Sequence, residues 1–127
     1  MATKALEKGT RDLSIDTTFT EDGAGVLSPV VPYTDKSFAV VGYGNLYLPS
    51  RFNWDVLYGT PSNIIAVQID LEGSLDDSAW FALDSTTSAA NGMRFVSNRP
   101  VRFVRAKVVS LNLTNGTSTT LKVGISF

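Results

Sequence analysis

The chain of 127 residues contains neither cysteine nor histidine. Without cysteine there is no disulfide and no thiolate metal site. Without histidine the commonest general base, the commonest metal ligand and every Ser-His or Cys-His nucleophile pair are gone. No run approaches the ~20 apolar residues that a membrane helix needs. The N-terminal stretch MATKALEKGTRDLSIDTTF has no apolar signal core, so neither secretion by a cleaved peptide nor a membrane partner is expected. The sequons at Asn112 and Asn115 then read as chance matches in a turn-rich segment. Acids are absent from the last third. Residues 85–127 hold six Lys or Arg and no Asp or Glu, a net of +6, whereas residues 1–84 hold five Lys or Arg and all twelve acids, a net of −7.

What is present is β-forming. Ile65, Val67, Ile69 and Leu71 alternate with Gln68, Asp70 and Glu72, the period-two pattern of a strand with one buried and one wet face. Gly73, Ser74, Asp76, Asp77 and Ser78 are turn formers, and the chain returns through Trp80, Phe81 and Leu83. Residues 63–84 therefore read as a β-hairpin, with Trp80 as a core plug. Glu72, Asp76 and Asp77 offer oxygen ligands, but their spacing is not that of a calcium loop, and a solvated turn is expected with no metal or cofactor. Carboxylate-pair hydrolysis is formally possible, for example through Asp70 and Glu72. Both fall on the wet face of a single strand, where acids sit anyway, and no enzyme and no catalytic residue is expected.

Elsewhere, Leu13–Phe19 and Phe52–Tyr58 alternate, and Leu121, Val123, Ile125 and Phe127 should face inward. Pro29 and Pro32 confine Val26–Tyr33 to an edge strand or an extended connection. Gly42 and Gly44 break the strand-like run Ser37–Leu48. Val101–Leu113 is apolar on both faces in part, which suggests a central strand or a bulge near Phe103–Val104. Asn115-Gly116 marks a hairpin turn. The sum is all-β: eight or nine strands at regular spacing and no long helix, hence an antiparallel two-sheet β-sandwich, jelly-roll-like, with a small closed barrel as the alternative. Residues 13–127 form one such domain, and residues 1–12, polar and mixed in charge, form a flexible N-terminal arm.

The basic segment Arg94, Arg99, Arg102, Arg105 and Lys107 admits three readings. It can be a phosphate footprint. It can pair across strands with Asp70, Glu72 and Asp84. It can meet the acidic part of a second copy. Cross-strand pairing is expected first, and nucleic acid is not counted among the partners. Candidate partner-contact residues are Lys4, Lys8 and Arg11 of the arm with Arg94 and Arg99. Among the aromatics, Tyr43, Tyr47 and Trp54 are candidates for facing a glycan, although the alternation of Phe52, Trp54, Val56 and Tyr58 equally describes core packing.

Two groups of residues carry a resemblance. The stretch EGSLDDSAWFAL, residues 72–83, resembles the GS-D-G-x-x-W hairpin of discoidin-like, galactose-binding-like jelly rolls, with Asp77 where that family usually has glycine. Pro100–Ala106, PVRFVRA, resembles the ARYVR strand of the same fold. The order of an aromatic strand (52–58), a Gly-Thr-Pro-Ser loop (59–62), the 71–80 hairpin, the 102–106 strand and a threonine-rich final hairpin (114–127) is similar to small virion structural proteins of tailed bacteriophages. That resemblance implies a structural protein made in the bacterial cytoplasm. Its place would be the virion, as a capsid decoration (cement) protein on the head exterior, and its partners the major capsid protein and copies of itself. The alternative it implies is a carbohydrate-binding or adaptor module of a tail or fibre.

Overall fold

The computed structural model describes residues 4–40 and 51–127, and in these the chain is a sandwich of two five-stranded sheets. The strands are β1 (Lys4–Leu6), β2 (Asp12–Glu21), β3 (Leu27–Ser28), β4 (Tyr33–Val40), β5 (Phe52–Tyr58), β6 (Ile64–Ser74), β7 (Phe81–Thr86), β8 (Gly92–Val96), β9 (Phe103–Leu113) and β10 (Ser118–Ser126). One sheet runs β1-β4-β9-β6-β7 and the other β3-β2-β10-β5-β8. All pairings are antiparallel except β1 with β4. The two-sheet sandwich is as the alternation predicts. The described residues hold ten strands rather than eight or nine.

Both extra strands lie where the sequence is least regular. β1 falls inside the segment expected to be a free arm. Leu6, an apolar side chain in that segment, is 1% exposed, and Gly9 donates its N–H to the Phe127 carbonyl, so residues 4–9 are fastened to the sandwich. β3 has two residues, pairs among the described residues only with β2 and ends at Pro29, which is the edge role that proline imposes.

The alternating strands deliver their side chains as their pattern requires. Phe52, Trp54, Val56 and Tyr58 of β5, with Leu121, Val123 and Ile125 of β10, face Val67, Ile69 and Leu71 of β6 and Val104, Ala106 and Val108 of β9 in one core. Removing each of the larger of these side chains from water contributes ~1.5–3 kcal/mol. Ile65 departs from the pattern and is exposed, because the register of β6 against β9 shifts between Ile64 and Ala66. β9 is central, as its two apolar faces suggest, and the shifts in register lie opposite it, at Thr34/Ser37 on β4 and at Gln68/Ile69 on β6.

The Asn115-Gly116 turn is not a hairpin. Gly116 adopts φ 72, as the turn signal requires, but β9 and β10 belong to different sheets. The turn is an arch across the sandwich, and Glu21 anchors it. Its carboxylate accepts from Gly116 N at 3.2 Å and from Gly23 N, tying two turns together at one end of the molecule. Local turn chemistry cannot distinguish a hairpin from an arch, because the distinction depends on which sheet receives the next strand.

Candidate interaction surface

The β6–β7 hairpin is rigid at its root and apolar at its tip. Asp76 organises the turn: its Oδ1 accepts from Ser78 N at 2.9 Å, Ala79 N at 2.8 Å and Ser74 Oγ at 3.0 Å. The backbone N–H groups of Ala79 and Ser78, then the Ser74 hydroxyl, hold its carboxyl below the usual carboxylate range. Asp77 sits at φ 60, in the left-handed region where glycine is commonest and Asp is tolerated. Trp80 follows, half-buried. The Arg105 guanidinium lies 4.1 Å from its ring centroid and is held there by Glu72 Oε1 at 2.9 Å. Beyond that stack, Leu75 is 65% and Phe81 68% exposed. Tryptophan and phenylalanine at a turn, with an arginine stacked from β9, are the residue types enriched where protein surfaces bind.

β7 and β8 flank the open side of the sandwich, and a polar clasp joins them. Asp84 of β7 accepts from Trp54 Nε1 at 2.9 Å and from Arg94 of β8 through both carboxylate oxygens, at 2.9 and 3.0 Å. Arg94 is the register partner of Trp54 and therefore shares its inward face. Met93 and Phe95 consequently point outward. They are 78% and 60% exposed, and the Arg51 guanidinium rests 4.7 Å from the Phe95 centroid. Arg99 reaches across to the Ala82 carbonyl at 3.4 Å, covering part of the β7 edge.

At the opposite edge an apolar groove of about 440 Å³ lies between residues 25–31 and 109–111. Val26 and Val30 line it and are 56% and 75% exposed. Asp22 stands on its lip: its carboxylate accepts from Ala24 N at 2.7 Å and Val26 N at 3.1 Å.

The residues expected to contact partners are not brought together. Lys4 pairs with Asp12 at 3.0 Å on the β1 side, and Lys8 is exposed nearby. Arg11 lies over Gly124 and grips Asp55 with two hydrogen bonds of 2.8 and 2.7 Å. Arg94 and Arg99 are on the far edge. Pairing across a ladder holds for Arg105 with Glu72, and Lys107 stands opposite Asp70, whereas Arg94 pairs with Asp84 across the two sheets rather than along a ladder. Two guanidiniums of the supposed phosphate footprint are thus engaged within the chain.

Trp54 is corrected as a glycan-facing residue. It is 1% exposed, and its indole N–H is used inside the sandwich by Asp84, so it has no face to offer a sugar. Tyr43 and Tyr47 lie outside the described residues. Trp80 is corrected as the core plug, since the fully buried tryptophan is Trp54. Glu72, Asp76 and Asp77 do not converge: Glu72 serves Arg105 and Asp76 serves its own turn. Leu75, Phe81, Met93 and Phe95 escaped the sequence reading. The i, i+2 spacing of Met93 and Phe95 was their one signal, and it equally describes an inward-facing pair.

No protein-family model matches this chain, and no curated protein matches it. Among solved structures it is similar to the crystal structure of SPBc2 prophage-derived protein YomS, with 17% sequence identity, a TM-score of 0.48, and coverage of 95% of this chain and 99% of that chain. At that identity and score the likeness carries no functional argument.

Proposed function

We propose that this chain is a non-enzymatic structural protein of a tailed-phage virion, a decoration protein that binds the outer surface of the head and stabilises contacts between capsomers. The observation that carries this reading is the tip of the β6–β7 hairpin. Leu75 and Phe81 are exposed next to a Trp80–Arg105–Glu72 stack tied by a ring contact and an ion pair, so the turn that presents them is already ordered before binding. The order of motifs along residues 51–127, similar to virion structural proteins, supports the same reading. A tip of this size makes a modest contact. Repetition around a symmetric shell converts modest contacts into strong retention.

The test is co-sedimentation of the purified protein with capsids that lack it, followed by cryo-electron microscopy. The expected result is density at symmetry-related positions with the hairpin tip against the shell, and loss of binding by Phe81→Asp with the fold retained. Bare capsids would overturn the head reading and shift weight to a tail or fibre adaptor, for which a glycan array is the next measurement.

A further inference from the structure

We infer that copies of this chain associate head to tail, with Met93 and Phe95 of one copy seated in the groove between residues 25–31 and 109–111 of the next. The inference does not depend on capsid binding, and its failure would leave that reading standing.

The two surfaces match in chemistry. The projecting side is β8, Gly-Met-Arg-Phe-Val, the last strand of its sheet. Edge strands are usually blunted by lysine, proline or an inward charge that keeps other chains away. β8 has no lysine or proline, and its one charge, Arg94, is neutralised by Asp84 within the same copy. Its outward side chains are Met93 and Phe95, both largely in water. The receiving side is apolar: Val26, Leu27, Val30, Val31, Val109 and Leu111 line the groove. β3 and β8 are opposite ends of one sheet, so a copy cannot fill its own groove with its own β8.

The charges match as well. Residues 12–35 hold five acids and no Lys or Arg, whereas residues 85–105 hold four Arg and no acid. Several of these are already committed, since Asp12 pairs with Lys4, Arg94 with Asp84 and Arg105 with Glu72, and Asp16 stands opposite Lys122. One acid of the first segment and an arginine outside both segments lie at the two surfaces. The Asp22 carboxylate is fixed on the groove lip by Val26 N, and the Arg51 guanidinium lies on the Phe95 ring. Seating Phe95 in the groove of a second copy brings Arg51 toward that copy's Asp22. Such complementarity fixes orientation and disfavours wrong partners more than it adds affinity. The contact is heterologous, so it propagates into a closed ring or a filament rather than stopping at a two-fold dimer.

Sedimentation velocity on the full chain tests this across micromolar to millimolar concentrations at low and high salt. The wild type is expected to form species beyond a dimer that grow with concentration and weaken as salt screens the Arg51–Asp22 attraction. Phe95→Asp and Val30→Asp are each expected to be monomeric at concentrations where the wild type assembles. Both side chains are exposed, and an unchanged melting temperature verifies the fold of each. Mixed in equal amounts the two variants should give a dimer and nothing larger, because one supplies the intact groove and the other the intact β8. A wild type that stays monomeric throughout overturns the inference. So does a Val30→Asp protein that assembles like the wild type, which would mean that β8 pairs with β8, and so does a mixture that remains monomeric.

Discussion

Arg94 and Asp84 close the open side of the sandwich. They are the facing residues of two edge strands from different sheets, and their two hydrogen bonds, with the one from Trp54, connect those edges directly. Most of the contact between the sheets is apolar packing, which is indifferent to sliding. The clasp is directional and fixes how β7 sits over β8, and therefore which way Met93 and Phe95 face.

Asp84→Ala should destabilise the fold by about 1–3 kcal/mol, because it leaves the buried Trp54 N–H without an acceptor and Arg94 without its partner. Arg94→Ala should cost less, since Arg94 is partly exposed and Asp84 keeps the indole bond. Urea unfolding of both variants checks the order, and a larger loss for Arg94→Ala would mean that the ion pair, not the indole bond, holds the clasp.

The two tryptophans should behave oppositely to what the hairpin motif suggests. Trp54→Ala removes a fully buried ring and should cost about 3–5 kcal/mol. Trp80→Ala removes a half-buried ring whose specific contact is the Arg105 stack, and should cost about 1–2 kcal/mol. Thermal melts of the two single variants decide it. Equal losses would place Trp80 in the core after all.

This pair also shows what the sequence could convey. Strand existence is legible where the sequence alternates, because alternation such as Phe52, Trp54, Val56, Tyr58 is a direct consequence of the pleat. The interior of β5 follows from it. Trp80 misled because aromatic size predicts burial only when the strand address is known, and Trp80 lies one residue before β7, outside the pleat. Leu6 was unreadable for a related reason: a single leucine among polar residues has no period. The Asn115-Gly116 signal cannot separate an arch from a hairpin, because pairing partners are set by the whole sheet order. The exposed face of β8 was hidden because a two-residue alternation does not say which side is core.

Ser14 carries a load that its sequence context does not advertise. It is fully buried on β2, and its hydroxyl donates to the Lys36 carbonyl at 2.7 Å and accepts from Ala106 N at 2.8 Å, both in the other sheet. The register shift of β4 at Thr34/Ser37 interrupts its ladder with β9 at this place. Ser14→Ala leaves the buried Ala106 N–H without its acceptor and the Lys36 carbonyl without its donor, and should cost about 1–3 kcal/mol. Hydrogen exchange of the Ala106 amide should accelerate well beyond what the global loss explains. An amide exchanging in step with global unfolding would mean that it finds another partner.

Two glycines make room for different things. A methyl group on Gly73 would come within 2.8 Å of Leu83 Cδ1 and of Val101 Cγ1, both packed against the core. Gly73→Ala should therefore cost about 1–3 kcal/mol through overpacking. The nearest atoms to a methyl group on Gly124 would be those of the Arg11 guanidinium, the far end of a flexible side chain. Gly124→Ala should displace Arg11 from Asp55 and cost under about 1 kcal/mol, the usual worth of an exposed ion pair. Measuring both against wild type separates a packed wall from a movable one, and a larger loss at Gly124 would make the Arg11–Asp55 bridge a structural anchor.

Acid should weaken the fold in a defined window. Burial pushes the Asp84 carboxyl up, but the hydrogen bonds from Arg94 and Trp54 outweigh it and hold the group below its ordinary value. Asp22 and Asp76 are lowered by the backbone N–H groups of their own turns. A carboxyl lowered in the folded state binds protons more readily when unfolded. Its stabilisation is therefore complete above the unfolded value, near pH 4, and is lost as pH falls through the folded value. With no histidine in the chain, nothing of that type titrates between pH 5 and 8. The melting temperature should accordingly be flat from about pH 7 to 5 and fall below about pH 4. Asp84→Asn should be less stable than wild type at pH 6, and the gap should narrow as the wild-type carboxylate is protonated. A gap that stays constant down to about pH 2 would show that the Asp84 charge contributes nothing to the clasp and that shape alone holds Arg94 in place.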